Sequence, residues 1–289
     1  MVHLLDYSAV EDGQSEKLAV AVKLEAKSVS FHYGETEILK DIDLQVKEGE
    51  FVVFMGPSGS GKSTLLRLLS GLSQPKTGEI ILNGERLLSV SEELAIVFQD
   101  YSLFPWLTVQ ENLALALKQK LKKTKTKKEI QQLAEDYLQL VQLGHAVKKY
   151  PGELSGGMRQ RAAIARALSL GTDTILMDEP FGALDPLTRV QLQELVLTIN
   201  REQKRTIVFV THDAEEAILL ADRIVMFSPG PPGTIVEAID VPFRKPRNRK
   251  QLFDSREYIE FRDYLLGVMN KGILEKLNQS QQFSTGEGI

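Results

Sequence analysis

The sequence predicts an α/β fold built on a mainly parallel core sheet, and three observations carry that prediction. Short apolar runs without polar alternation recur along the chain, helical stretches separate them, and one run leads straight into a glycine-rich loop and a helix. Strands covered on both faces have no polar side to show, so they read as unbroken apolar segments. Helices between them supply the two covering layers.

Taken in order, residues 1–22 form an N-terminal extension in which Asp6, Glu11, Asp12, Glu16 and Lys17 interrupt short apolar stretches. It lacks the basic-then-apolar-then-small order of a secretory signal, so a cytoplasmic location is expected. A main domain follows over 23–240. From Lys23 to Lys47 the chain alternates, with Val29, Phe31, Ile42, Leu44 and Val46 on one side. That pattern marks a half-exposed antiparallel layer. The buried strands are Phe51 to Met55, Leu94 to Phe98, Thr174 to Met177, Thr206 to Val210 and Arg223 to Phe227. A helical insert over about 100–170 separates the second strand from the third and includes seven lysines between Lys118 and Lys128. With no interleaved aromatics, the lysines read as a solvated helix face, not a nucleic-acid stripe. Ser228-Pro-Gly-Pro-Pro-Gly233 ends the last core strand, because it can continue neither a strand nor a helix. Thr234 to Ile239 is a further strand. The remaining 241–289 is an extension, basic at Arg244, Lys245, Arg247, Arg249 and Lys250, then helical from Arg256 to Leu277 along a face of Phe261, Tyr264, Leu265, Val268 and Met269. Its last dozen residues are polar enough to be expected disordered.

Composition excludes several classes. At 289 residues, 43% apolar and 26% charged, the chain is long enough to bury a substantial core. Without cysteine it has no disulfide, thiolate nucleophile or cysteine metal site, and the histidines at 3, 32, 145 and 212 lack ligand spacing. Thirty-five basic against 39 acidic residues leave a net −4, so no overall field draws nucleic acid or anionic lipid. No apolar run reaches the ~18 residues of a membrane span. Any membrane role is expected to go through a partner's span.

The first motif is Gly56-Pro57-Ser58-Gly59-Ser60-Gly61-Lys62-Ser63, which fits G-x-x-x-x-G-K-[ST] between a strand and the helix that Thr64 enters. Glycines let successive backbone N–H groups face one anion, and the helix N-terminus adds partial positive charge. Lys62 is a cation for the β- and γ-phosphates and the Ser63 hydroxyl a magnesium ligand. The second is Asp178-Glu179, two carboxylates at the end of a buried strand, where open α/β sheets bind ligands. Asp178 is read as holding hydrated Mg²⁺ and Glu179 as the base, or orienting group, for a water attacking the γ-phosphate. The third, Leu154-Ser155-Gly156-Gly157-Met158 opening a helix, is a second and partial phosphate nest, which suggests completion by another subunit. Arg159, Arg161 and Arg166 beyond it read as helix-surface or salt-bridge residues.

With these residues in place, the chain resembles an ATP-binding cassette subunit from about Leu24 to Ile239, and Leu154 to Met158 resembles that family's signature loop. The resemblance implies a P-loop NTPase fold and an ATPase using ATP and Mg²⁺. It further implies that Tyr33 stacks on adenine, that Gln99 reaches Mg²⁺ and the attacking water, that Asp185 ends the loop through which two subunits sense each other, and that His212 contacts the γ-phosphate. Ser155, Gly156 and Gly157 would act on a partner's ATP, so a second ATPase subunit is implied, as homodimer or paralogous heterodimer. Met158 departs from the family's usual Gln. That substitution, with Leu103-Phe104-Pro105-Trp106, Glu179 to Pro186 and Ser228 to Gly233, resembles importer ATPases for nitrate, sulfonates and taurine. Such a subunit would sit peripherally on the cytoplasmic face of the plasma (inner) membrane, bound to permease subunits through Tyr101 to Trp106, with an extracytoplasmic substrate-binding protein beyond. A soluble assembly-factor ATPase and an exporter ATPase share the same motifs and remain as alternative readings.

Overall fold

The computed structural model describes residues 21–121 and 124–284, with side chains through 271. The N-terminal extension to residue 20, Lys122, Lys123 and the last five residues lie outside the described residues, and with them the cytoplasmic expectation for the N-terminus.

Two sheets pack across one hydrophobic cluster, and the helical layer covers a second on the other face of the larger sheet. β1 (Val22–Tyr33) and β2 (Thr36–Lys47) form the long antiparallel hairpin that the alternation predicts, and alternate residues Leu44 and Val46 are buried between exposed neighbours. β3 (Phe51–Met55) ends at the glycine-rich loop, and α1 (Lys62–Leu69) follows. β4 (Thr77–Leu82) and β5 (Glu85–Arg86) complete the first sheet in the order β2-β1-β4-β5. β6 (Leu94–Val97) returns to the second sheet. The helical stretch comprises α2 (Val109–Leu121), α3 (Lys127–Leu140) and α4 (Gly156–Ser169). β7 (Thr174–Asp178), α5 (Pro186–Gln203), β8 (Thr206–Thr211), α6 (Ala214–Leu220) and β9 (Arg223–Phe227) then alternate. Strands β9, β3, β8, β7 and β6 run parallel, and β10 (Ile235–Asp240) closes the β9 edge antiparallel.

The missing polar alternation has its reason in this layering. Phe51, Val53 and Met55 of β3 face the helical side, while Val52 and Phe54 face α1 and the β1–β2 hairpin. Both faces are apolar because both are covered. Each fully buried Phe or Leu here contributes roughly 1.5–3 kcal/mol over its exposed state.

The C-terminal segment is tied to this core through one guanidinium. Arg247 Nη1 donates to the carbonyls of Ile218, Leu219 and Ala221 at the end of α6, and Nε and Nη2 donate to Phe243. These are carbonyls that a helix terminus leaves without internal partners. Burial pushes the Arg247 pKa down to about 10. Arg247→Ala should therefore destabilise the fold by about 1–3 kcal/mol, seen as a Tm lower by several degrees in a thermal melt. An unchanged Tm would mean that this anchor does not hold the segment. α7 (Arg249–Phe253) and α8 (Arg256–Ser284) complete the chain. α8 extends to Ser284, and the end of the tail expected to be disordered lies outside the described residues.

Candidate functional site

Parallel pairing places the ends of four strands at one sheet edge. Met55 pairs with Thr211, Val210 with Asp178, and Met177 with Val97. The next residues along these strands are Gly56, His212, Glu179 and, two beyond Val97, Gln99. Four motifs dispersed over 157 positions of sequence thus meet because the strands carrying them are neighbours in register.

The loop between β3 and α1 has the backbone an anion cradle needs. Gly59 and Gly61 adopt φ of +78° and +87°, a left-handed conformation strained for other residues, and a Cβ at Gly59 would meet only open space. Gly61 is the N-cap of α1, with no side-chain cap and no acidic residue in the first turn, so the helix's first N–H groups have no side-chain acceptor. That leaves them available for a phosphate. Lys62 is buried, and its Nζ donates to Gly56 O at 2.8 Å, Pro57 O at 2.7 Å and Ser60 Oγ at 3.1 Å. Burial lowers its pKa, against the pull of Glu179 and Asp178. A cation is therefore held inside a loop whose N–H groups also favour negative charge.

Ser63 Oγ donates to Asp178 Oδ1 at 2.8 Å. Burial pushes the Asp178 carboxyl up and Glu179 adds to that, while the Ser63 hydroxyl and the charges of Arg67 and Lys62 oppose it. Two hard oxygens this close suit Mg²⁺, which takes one or two protein oxygens and completes its octahedron with water and substrate phosphate. Among the described residues no trio of His or carboxylate side chains forms a self-sufficient metal cage.

Glu179 has φ of +45°, an uncommon conformation for a non-glycine residue. Two backbone bonds hold it: Glu179 N donates to Val210 O at 3.1 Å, and Gly182 N donates to Glu179 O at 3.3 Å. His212 Nδ1 lies 3.5 Å from Glu179 Oε1. A cavity of about 100 Å³ lies between these two and Gly182, Arg189 and Asp213. It has room for a few waters.

Gln99 lies at the far end of this row of strand ends, and the other expected residues stand in separate groups. Gln99 is exposed and precedes Tyr101 and Ser102, both at positive φ. This strained turn is held by α4: the Arg159 guanidinium lies 5.3 Å over the Tyr101 ring, and Arg166 Nη1 donates to Ser102 O at 2.5 Å. Arg161 Nη1 donates to Val141 O and Gln142 O. All three arginines are anchors for loops, a role that depends on which loop α4 packs against and carries no local sequence signal. Tyr33 is half exposed at the end of the first hairpin strand, edge-on to Phe31. Ser155 caps α4 by accepting from Met158 N, and the missing Cβ of Gly157 would sit 3.1 Å from Ala183 O. Because Met158 serves through its backbone, its side-chain identity leaves the cap intact. Asp185 caps α5 through Thr188, which holds its carboxyl below the usual range. The Ser155 loop and the Gly182–Asp185 loop are therefore neighbours.

Sequence reasoning missed a polar chain behind His212. Thr211 Oγ1 donates to Glu216, Gln193 Nε2 donates to the same carboxylate, and Arg249 Nη2 donates to Gln193. Its members come from four elements, and none resembles a motif alone.

Comparison with known proteins agrees with this geometry. A family profile described as ABC transporter matches residues 39–182. The chain is 46% identical over 255 residues to a bicarbonate transport ATP-binding protein, CmpC, of Synechococcus elongatus, but spans only 38% of that protein's length. It is 45% identical over 233 residues to the nitrate transport protein NasD of Klebsiella oxytoca, covering 89% of it, and 44% identical to the nitrate import ATP-binding protein NrtD of Synechococcus elongatus, covering 84%. Among solved structures, the ATP-binding cassette MJ0796, in a dimeric post-hydrolysis state bound to ADP and Pi, is 34% identical, with a TM-score of 0.70 over 76% of this chain and all of that one. At 44–45% identity over 84–89% of NasD and NrtD, and with the fold of a whole solved ATP-binding cassette, the chain belongs to the ABC transporter family as an ATP-binding cassette.

Proposed function

We propose that this chain is the ATP-hydrolysing subunit of an importer for a small anion. The observation that carries the reading is the convergence of Lys62, Ser63, Asp178, Glu179 and His212 at one sheet edge around an open anion cradle. The names of the relatives, nitrate and bicarbonate transport proteins, narrow the solute to a small inorganic oxyanion. Sulfonates and taurine, which the subgroup resemblance also implied, find less support in those names.

In this reading Tyr33 stacks on the adenine and the loop from Gly56 to Thr64 wraps the phosphates, with backbone N–H groups at its glycines and at the start of α1 facing them. On ATP entry the Lys62 ammonium exchanges loop carbonyls for β- and γ-phosphate oxygens, which suits a buried cation better than neutral acceptors. Ser63, Asp178 and Gln99 would hold Mg²⁺, which when bound neutralises charge developing on the phosphates. Glu179, fixed by its two backbone bonds, orients a water in the adjoining cavity and accepts its proton. His212 steadies the γ-phosphate from the other side.

Ser155, Gly156 and Gly157 complete the site of a second ATPase subunit, identical or paralogous, and Asp185 lies in the loop that passes between the two. The dimeric state of the MJ0796 cassette supports this arrangement. No helix among the described residues is long and apolar enough to cross a membrane. In this reading transport runs through separate permease subunits. Their contact is the Tyr101 to Trp106 segment, where Trp106 is 70% exposed and its ring lies tilted at 44° against Phe104. The backbone of that segment is rigid because buried Asn112 bonds to Phe104, Leu107 and Thr108. In the assembled importer this chain lies on the cytoplasmic face of the plasma (inner) membrane, with an extracytoplasmic substrate-binding protein opposite. We divide the chain as 1–22, 23–240 and 241–289, the cassette being the middle part.

The test is to purify the tagged protein from gently solubilised native membranes and identify what accompanies it by mass spectrometry. The expected result is a multi-span permease whose complex hydrolyses ATP faster when a loaded binding protein is added. Recovery of soluble partners alone would replace transport with the assembly-factor reading.

A further inference from the structure

One motif remains without a role, the turn from Ser228 to Gly233. It does not leave the sheet for solvent. After β9 the chain runs directly against the phosphate loop, backbone to backbone. A Cβ on Gly233 would stand 1.9 Å from Ser60 O, and one on Gly230 would stand 2.6 Å from Gly59 O and 3.1 Å from Ser60 Cα. At the start of the loop, a Cβ on Gly56 would be 2.9 Å from Phe227 O. On the opposite side Gly61 is pressed by β2, since a Cβ there would meet Leu39 Cδ2 at 2.5 Å and Ile38 O at 3.2 Å.

The two walls are themselves joined. Gly233 N donates to Ile38 O at 2.8 Å, and Lys40 N donates to Gly233 O at 3.1 Å. The turn is closed at its base, where Ser228 N donates to Thr234 O and Thr234 N donates to Ser228 Oγ, both at 2.9 Å. Pro231 and Pro232 fix two φ angles within it. Residues 59–61 of the anion cradle are thus gripped between β2 and a stiff turn, and within the loop Ser60 N donates to Pro57 O at 3.3 Å.

The grip matters because a glycine-rich loop has many conformations, and those with all N–H groups converging on one point repel internally until an anion arrives. Restricting the loop beforehand lowers what binding must spend on ordering it. We propose that the Ser228–Thr234 turn is a positioning element for nucleotide phosphates, with Gly233 and Gly230 seating the carbonyl side of Gly59–Ser60 so that the loop keeps the conformation in which it receives the ligand. The turn sets nucleotide affinity without touching nucleotide, and this inference rests on the ATP-binding reading above.

The experiment compares the full chain with Gly233→Ala and Ser228→Ala, measuring ATP hydrolysis against ATP concentration, inhibition by inorganic tripolyphosphate, and Tm. Tripolyphosphate has no adenine, so it reports on the phosphate loop alone. Gly233→Ala is expected to raise KM for ATP about tenfold or more and to weaken tripolyphosphate by the same factor, with kcat changed less than about threefold. Ser228→Ala, which loosens the turn without adding bulk, should raise both constants about threefold at nearly unchanged Tm. A turn that merely supports the fold would lower Tm and the amount of active protein while leaving KM and the tripolyphosphate constant alone, and that result would overturn the proposal. Should Gly233→Ala not fold, unaltered constants in Ser228→Ala would overturn it equally. If the unsubstituted chain bound neither ATP nor tripolyphosphate, the nucleotide reading itself would fall, and the proposal with it.

Discussion

Glu179→Gln is expected to retain ATP and to lose turnover by about two to four orders of magnitude, the usual worth of a positioned base. The substitution keeps the side chain's shape but removes the proton acceptor. Because Glu179 is placed by backbone bonds to Val210 and Gly182, the φ of +45° and the neighbouring cavity should survive the change. The ligand-contacting groups of the phosphate loop lie elsewhere, so nucleotide affinity should hold or rise as a nearby negative charge is removed. Equilibrium nucleotide binding and single-turnover phosphate release, measured on the same preparation, separate the two effects. Turnover within tenfold of the unsubstituted protein would remove Glu179 from the role of base and leave Asp178 or His212 to be tested for it.

Ser155→Arg is expected to abolish hydrolysis while the isolated chain still binds ATP, and Lys62→Ala to abolish both. Ser155 caps α4 beside Gly157 and Ala183, and its loop is exposed at one end of the helical layer. In the proposed dimer an arginine there would obstruct the facing subunit's nucleotide, not the chain's own. Lys62, by contrast, is buried in the chain's own loop. Mixing the two inactive proteins should then restore part of the activity, since a mixed dimer contains one site with an intact Lys62 and an intact Ser155. The steady-state ATPase rate of the mixture is the readout. A mixture as inactive as either component would contradict a site shared between subunits.

The Tyr101 to Trp106 segment shows how far pattern reading reached. Its apolar composition beside Gln99 marked it as a contact surface, and Phe104 and Trp106 are indeed exposed. That the backbone at Tyr101 and Ser102 is left-handed and strapped to Arg159 and Arg166 was not legible, because α4 lies more than fifty residues downstream. The short strands β4 and β5 escaped for a different reason: Thr77 to Arg86 has neither a continuous apolar run nor a long alternation, and pairing with β1 makes it a strand.

By itself the sequence determined the chemistry available to this protein. Glycine spacing before Lys62 and Ser63, paired carboxylates after an apolar strand, and Ser155-Gly-Gly before a helix are local patterns, and local backbone physics suits each one to a phosphate or a metal. Only the tertiary structure decided which devices meet. Uniformly apolar strands carry no register or neighbour information, so the order β10-β9-β3-β8-β7-β6, which brings Glu179 and His212 to the Lys62 loop, had to come from packing. The same holds for Gly230 and Gly233. In sequence they are a turn, and only the fold shows that the turn closes on Ser60, because the absence of a side chain acquires meaning from what occupies the space instead.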